Sequence, residues 1–322
     1  MNHDLSEKLW QFVGEGNSSF SQLKEEVWQY QLAHNPVLAQ YAKQLPYEEH
    51  LFVPISFFKH FPLKTGKGWE AEHIFESSKT TGQTSSKHYI QSLSWYEKVS
   101  IQGFHQFFPQ GKYAIFALLP GYLERTNASL VYMVDNWMRR FGLPESGFFL
   151  DDMEELGNRL GRAYREGKPV LLIGVTFALL DFAEQYPIEI PHALIIETGG
   201  MKGKREELTR NQVHQRLKEA FQVAHIISEY GMTELMSQAY ALENGRFRTP
   251  PWMEIVISDI HLSSLPKRAG KSGRINIIDL ANLYSCSFIA TDDIGRMCED
   301  GSFEVLGRLD QAELRGCNLM YE

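Results

Sequence analysis

Basic charge is scarce in this 322-residue sequence: 32 Lys and Arg stand against 40 Asp and Glu, a net charge of −8. A nucleic-acid backbone needs a basic face, and neither Lys nor Arg clusters into one, so nucleic acid is excluded as the main partner. Cysteine is scarce too. Cys286, Cys298 and Cys317 are odd in number and lack Cys-x-x-Cys spacing, so neither a disulfide framework nor a zinc site follows from them, and a reducing cytoplasm is the expected location. The N-terminus, MNHDLSEKLW, has no apolar secretory stretch. The most apolar segment, residues 170–180, falls short of the roughly 20 residues that span a bilayer, so no membrane span is expected. No GxxxxGK[ST] phosphate loop occurs either; Gly270-Lys271-Ser272 has only its ending. What remains is 43% apolar and 22% charged, a globular balance with enough apolar residues for a large core.

The patterning that is present is α/β. Residues 1–65 read as a helical N-terminal segment. Within it, Ser19-x-x-Gln22 has the form of a capping box, with Leu23, Val27 and Tyr30 on one helix face behind it. Pro36 breaks or restarts the pattern. An apolar, aromatic segment follows (PISFFKHF, 54–61), then a polar stretch rich in Gly, Ser and Thr. From Tyr113 the alternation becomes regular. Strands are predicted at 113–119, 170–173 and 193–196; helices at 129–141, 176–185 and 206–221, with another starting at Asp152-x-x-Glu155. Repeated strand–helix units imply a largely parallel sheet covered by helices. After Pro250-Pro251 the helices stop, and EIVI, RINIID, SFIA and FEVL read as short strands of a β-rich final third.

Four segments can carry chemistry. FESSKTTGQTSSKH (75–88) is a hydroxyl-rich loop around Gly82, and a turn presenting N–H and hydroxyl groups suits nucleotide phosphates. The same composition serves a solvated loop. In Ser228-Glu229-Tyr230-Gly231-Met232-Thr233-Glu234 an aromatic ring can stack on a purine, glycine admits a ligand to the backbone, a hydroxyl can bond phosphate and a carboxylate can hold Mg²⁺. A strand end followed by a capped helix is the plain alternative. Thr291-Asp292-Asp293-Ile294-Gly295-Arg296 places a carboxylate at a turn, where it could accept both hydroxyls of a ribose or belong to an ordinary Asp-Gly hairpin. Gly307-Arg308-Leu309-Asp310 offers an arginine for ribose or phosphate, or a solvated turn.

In this order and at this spacing the segments resemble the adenylate-forming superfamily of acyl-CoA synthetases, luciferases and adenylation domains. Tyr230-Gly231-Met232-Thr233-Glu234 is a specific match, and Gly199-Gly200 resembles the Gly-rich segment beside the adenine. PISFFK, LPGYLERTNASLVYMVDNW (119–137) and GGMK (199–202) bring the chain closest to the acyl-protein synthetases of bacterial luminescence systems and to their relatives, the phenylacetate–CoA ligases. The likeness covers roughly residues 54–320. Lys79 stands where the phosphate loop usually has glycine, and Asp292 replaces the middle glycine of the ribose motif, leaving Asp293 as the matching acid.

The resemblance implies helix-covered, largely parallel sheets of an adenylation core at 66–307, with a hinge and tail remnant at 308–322. The small C-terminal domain of full-length relatives is expected to be absent, since the chain stops 12 residues after Asp310 (322 minus 310). It implies ATP and Mg²⁺, with Ser77, Ser78, Lys79, Thr80, Thr81, Gly82, Gly199, Gly200, Tyr230, Gly231, Thr233, Asp293 and Arg308 at the nucleotide. Glu234 would hold the metal, and Thr233 and Glu234 would act in catalysis. Cys317, after Arg315-Gly316, matches the tail cysteine that takes up the acyl group in acyl-protein synthetases; thiolate is the reactive form, and a close Arg315 lowers a thiol's pKa. The implied partners are a carboxylic acid, fatty by analogy, and an acyl-accepting reductase or other acyl-carrier protein. The competing expectations are a phenylacetate-type CoA ligase core and a non-catalytic nucleotide-binding remnant. Aromatic residues of 119–137 and Phe177 line either an acyl pocket or the core.

Overall fold

A computed structural model describes residues 3–16, 18–45, 49–78, 84–119, 127–150, 152–199, 208–260 and 270–309. The chain divides into two compact units, one of Met1–Gln106, Met232–Gln238 and Arg248–Glu322, the other of Phe107–Gly231 and Ala239–Phe247.

The second unit shows why its strands were legible. Ala114–Leu118 and Val170–Gly174 are buried at every position, as parallel strands covered on both faces must be. Leu194–Glu197 and Ile227–Tyr230 continue the parallel order, Gly147–Phe148 flanks Ala114–Leu118, and Ala239–Ala241 runs antiparallel beside Ile227–Tyr230. Helices Met153–Arg165, Thr176–Gln185 and Arg210–Phe221 add Leu156, Leu160, Leu179, Phe182, Leu217 and Phe221 to a core around Phe116 and Leu172. Each such side chain contributes about 1.5–3 kcal/mol when fully buried. Helix Ser129–Phe141 has the predicted bounds and ends at Gly142, where a Cβ would lie 2.3 Å from the Met138 carbonyl oxygen. Only glycine lets the chain turn back there, and Leu143 then donates to Tyr113. Trp137 of this helix is fully buried, so it belongs to the core and not to a pocket wall. Asp152 caps its helix through the Glu155 N–H at 2.9 Å, as predicted. The last helix begins at Arg210, later than the predicted 206, because Thr209 and Gln212 form a reciprocal capping box there.

In the first unit, helices His3–Glu15, Phe20–His34 and Pro36–Ala42 occupy the N-terminal segment. Leu23, Val27 and Tyr30 are buried as expected. Ser19 stands at the helix start but makes no side-chain cap bond, and the Gln22 amide donates to Glu26 at 2.9 Å, so the predicted capping box is not formed. Pro36 restarts the helix: Asn35 accepts from the N–H groups of Val37 and Leu38, and proline fits the first turn, where no N–H is needed. The β-rich final third is an antiparallel series, Met253–Ser258, Ser272–Asp279, Phe288–Met297 and Phe303–Arg308, with Val53–Pro54 parallel to Phe288–Met297. Buried polar groups tie distant segments of this unit together. The Gln31 amide donates to the Asn282 and Leu283 carbonyls at 3.0 and 2.8 Å, and the Asn35 amide to the Ser285 carbonyl at 2.9 Å. Among the described residues, no helix is long and apolar enough to cross a membrane.

Candidate functional site

The hydroxyl-rich loop joins a β-hairpin of the first unit. Strands His73–Glu76 and Lys87–Ile90 pair antiparallel, and Ser77 and Ser86 close the stem: the Ser77 N–H donates to the Ser86 carbonyl at 3.1 Å, the Ser86 N–H to the Ser77 hydroxyl at 2.9 Å. Ser77 is half-buried and Ser78 exposed. Lys79, Thr80, Thr81 and Gly82 lie outside the described residues.

Below this stem lies the Thr233–Glu234 pair. Residues 231–238 form no helix or strand, so the capped-helix alternative does not hold. Side chains from elsewhere in the unit hold the segment instead. His88, fully buried on the second hairpin strand, donates from Nδ1 to the Thr233 carbonyl at 2.8 Å. Its Nε2 lies 2.9 Å from Asn282 Oδ1, and the Asn282 amide donates to the Glu234 carbonyl at 2.8 Å. Asp279 accepts from the N–H groups of Met236 and Ser237, both at 3.0 Å, and from the Ser237 hydroxyl at 2.8 Å. Burial pushes the His88 imidazole down to about 4, against two bonds that favour the charged ring. Burial likewise raises Asp279 to about 6, against the bonds it accepts.

Glu234 is 5% exposed. Burial raises its pKa; the Ser86 hydroxyl, which donates to the carboxylate, and the charges of Lys59 and Arg308 oppose that shift. Among the described residues, no group of three or more His, Cys, Asp or Glu could hold a metal ion by itself.

Asp292 and Asp293, expected at a turn, sit inside strand Phe288–Met297: Asp293 pairs with Arg308 on one edge, while on the other the register shifts from Ala290 opposite Asn276 to Ile294 opposite Arg274, so residues 291–293 bulge there. Arg308, also expected at a turn, ends strand Phe303–Arg308 directly opposite Asp293 in the register, with its Nε 3.7 Å from Asp293 Oδ1. A half-exposed pair of this kind adds little stability.

In the second unit, Gly199 follows strand Leu194–Glu197 with φ of 73°, left-handed backbone that favours glycine. Its N–H donates to Glu197 Oε2 at 3.0 Å, where the Thr176 hydroxyl also donates at 2.8 Å. The Ser228 hydroxyl donates to Glu197 Oε1 at 2.5 Å, and His214 Nε2 lies 3.1 Å from Ser228 Oγ. Burial opposes ionisation of Glu197, but His214, Ser228, the Gly199 N–H and Thr176 outweigh it and bring the pKa down to about 2. Glu229 is pushed the other way, to about 8, by burial and by the Glu197 charge. Tyr230 is half-buried at the end of strand Ile227–Tyr230, 5.8 Å edge-on from Phe247, and Gly231 follows it. Gly200 lies outside the described residues.

The sequence thus leads to a hairpin stem, a Thr-Glu pair and an Asp293–Arg308 pair in one unit, and a glycine turn and tyrosine in the other. It missed His88, Asp279, Asn282, Glu197 and His214. The one legible signal for His88 is its inward register in KHYI, where it alternates with the buried Ile90. Cys286 is buried, its thiol pushed up to about 12 by burial, which fits a structural role; Cys298 begins the turn into the last hairpin strand. Cys317 lies outside the described residues. A cavity of about 220 Å³ lined by Leu9, Trp10, Trp95 and Tyr284 contains none of the residues assigned from sequence; the hydrogen-bonded motifs, not that cavity, mark the candidate site.

Residues 125–322, more than half of the chain, match the family described as "Acyl-protein synthetase, LuxE". No curated protein matches the sequence. Among solved structures, ATP-bound MatB from Rhodopseudomonas palustris is 17% identical with a TM-score of 0.55, over 73% of this chain and 47% of its own. A 2-hydroxyisobutyryl-CoA ligase in the postadenylation state, in complex with R3-HIB-AMP, is 12% identical with a TM-score of 0.65, over 95% and 68%. The luciferase-like enzyme of the nonluminescent mealworm Zophobas morio is 13% identical with a TM-score of 0.53, over 78% and 60%. At such identities the likeness establishes the fold, that of adenylate-forming enzymes. The chain spans about half the length of MatB.

Proposed function

The chain belongs to the acyl-protein synthetase family, and on that premise we propose that it uses ATP to convert a carboxylic acid, of the fatty class, into an acyl-adenylate and passes the acyl group to a protein thiol. One observation carries most of the support. The stem of the hydroxyl-rich loop and the Thr233–Glu234 pair are joined by buried hydrogen bonds through Ser86 and His88, so the base of the loop and the groups able to stabilise charge are held together before any ligand arrives.

The residue roles in this proposal are those that the resemblance of the motifs implies. Ser77 and Ser78, with Lys79, Thr80, Thr81 and Gly82, bind the β- and γ-phosphates. Tyr230 and Gly231, with Gly199 and Gly200, receive the adenine, and Asp293 accepts the ribose hydroxyls with Arg308 beside it. An oxygen of the substrate carboxylate attacks the α-phosphorus in line. The bond from that phosphorus to the bridging oxygen breaks, and pyrophosphate leaves with the electron pair. Thr233 donates a hydrogen bond to the charge that develops on the phosphoryl oxygens. Mg²⁺ characteristically takes one or two protein carboxylates and leaves its other positions to phosphate oxygens and water, and the buried Glu234 would be that carboxylate. When bound, the metal supplies neutralisation of phosphate charge.

In the second half-reaction a thiolate attacks the acyl carbon of the mixed anhydride. The carbon–oxygen bond to phosphate breaks, AMP leaves, and a thioester remains. Cys317 is the proposed thiol in this chain and an acyl-carrier or reductase partner the final recipient. Incubation with ATP and labelled fatty acid should give hydroxylamine-sensitive label on the protein, lost in Cys317→Ala and retained in Cys286→Ala. Undiminished label in Cys317→Ala overturns the thiol assignment. Label that instead moves to added CoA, with none left on protein, favours a CoA-ligase core.

A further inference from the structure

His88 reaches the Thr233–Glu234 pair from an unexpected side. It lies two residues beyond Ser86, on the strand that closes the hydroxyl-rich loop. From there one side chain of the loop stem touches the backbone that presents Thr233, and through Asn282 the backbone that presents Glu234. Thr233 and Glu234 have no helix or strand of their own to fix their carbonyls. A backbone carbonyl only accepts, and so does Asn282 Oδ1, whose amide nitrogen is committed to Glu234. The neutral ring that burial favours has one proton, and with it on Nδ1 the 2.8 Å bond to Thr233 is made while Nε2 only packs against Asn282. The ring edge also packs against Phe58 at 5.8 Å, nearly perpendicular, which limits its rotation. His88 is fully buried and cannot touch substrate.

We propose that His88 is a positioning residue: its Nδ1–H bond to the Thr233 carbonyl couples the loop stem to the Thr-Glu pair, so that the two move as one body during adenylation. The proposal rests on the adenylation reading for its kinetic consequence, but its structural consequence needs no substrate.

Two substitutions divide the ring's contacts. In His88→Asn the side-chain amide nitrogen can occupy the position of Nδ1 and keep the bond to Thr233, while in His88→Gln it reaches toward Asn282 and gives up Thr233. Both lose the packing of the ring, so a role in stability alone makes them equal. The coupling makes them differ. With acid-dependent ATP–pyrophosphate exchange normalised to folded protein, kcat of His88→Gln is expected to fall roughly tenfold or more below that of His88→Asn, with KM for ATP differing by less than about threefold between them.

Deuterium uptake by peptides covering 232–238 provides the second arm. It should be faster in His88→Gln than in His88→Asn, in the absence of any ligand. Equal uptake in the two variants, or equal kcat at equal stability, overturns the proposal. Should the wild type itself show no exchange activity with any acid, the adenylation reading fails, and the deuterium contrast still decides the role of His88. A protein that does not fold as His88→Gln is replaced by Asn282→Ala, which breaks the Glu234 arm and is expected to speed uptake in 232–238 as well; unchanged uptake there counts against the coupling.

Discussion

Strands Ala114–Leu118 and Val170–Gly174 of the second unit are apolar and buried at every position, whereas residues 233–237 of the first are held by His88, Asn282 and Asp279, three polar side chains no more than 2% exposed. Apolar packing is non-directional and scales with area, so it stabilises a unit without fixing where any one polar group points. Buried hydrogen bonds add little net stability but are costly to leave unmade, so they dictate one arrangement. The division of labour is plain: the parallel sheet supplies stability, and the polar cage supplies aim.

The largest expected effect breaks the first half of that contrast. Phe116→Ala, in the middle of the apolar core, should cost about 3–5 kcal/mol in chemical denaturation, while exchange per folded molecule stays near that of the parent. A variant whose remaining folded fraction has lost activity would show that the core also sets geometry. A smaller stability effect is expected for Asp279→Ala. It strips an acceptor from Met236, Ser237 and Ala281, but it also removes a carboxylate whose burial is unfavourable. The net cost should be about 1–3 kcal/mol by the same denaturation measurement. Exchange per folded molecule should nonetheless fall roughly tenfold or more, since misplaced catalytic groups lose rate steeply. Loss of stability with unchanged exchange would reduce the cage to ordinary packing.

This contrast also explains what the sequence could and could not reveal. Strands covered on both faces must be continuous apolar runs, so AIFAL and VLLIG announce themselves, and the helix after Asp152 carries its cap in the adjacent residues. Ser19 shows the limit of that signal: a capping pattern is present, yet Gln22 is drawn to Glu26. Asp292 and Asp293 look like turn residues, but they fall within a strand, at a register shift that only the pairing with its neighbours reveals. The motif residues were legible because they lie together in the chain. His88, Asp279 and Asn282 were not, since each is a common residue type whose partner lies 145, 42 or 43, and 48 positions away. Glu197 and His214 were hidden the same way, their meaning set by a strand register and a helix face.

Isotope exchange between pyrophosphate and ATP tests the central claim most directly, because it reads formation and reversal of the acyl-adenylate without requiring any thiol or partner. With ATP, Mg²⁺ and a panel of fatty and aromatic acids, exchange should appear only when an acid is present. ATP binding by calorimetry with no exchange for any acid would contradict the account and leave a protein that holds nucleotide without activating a carboxylate.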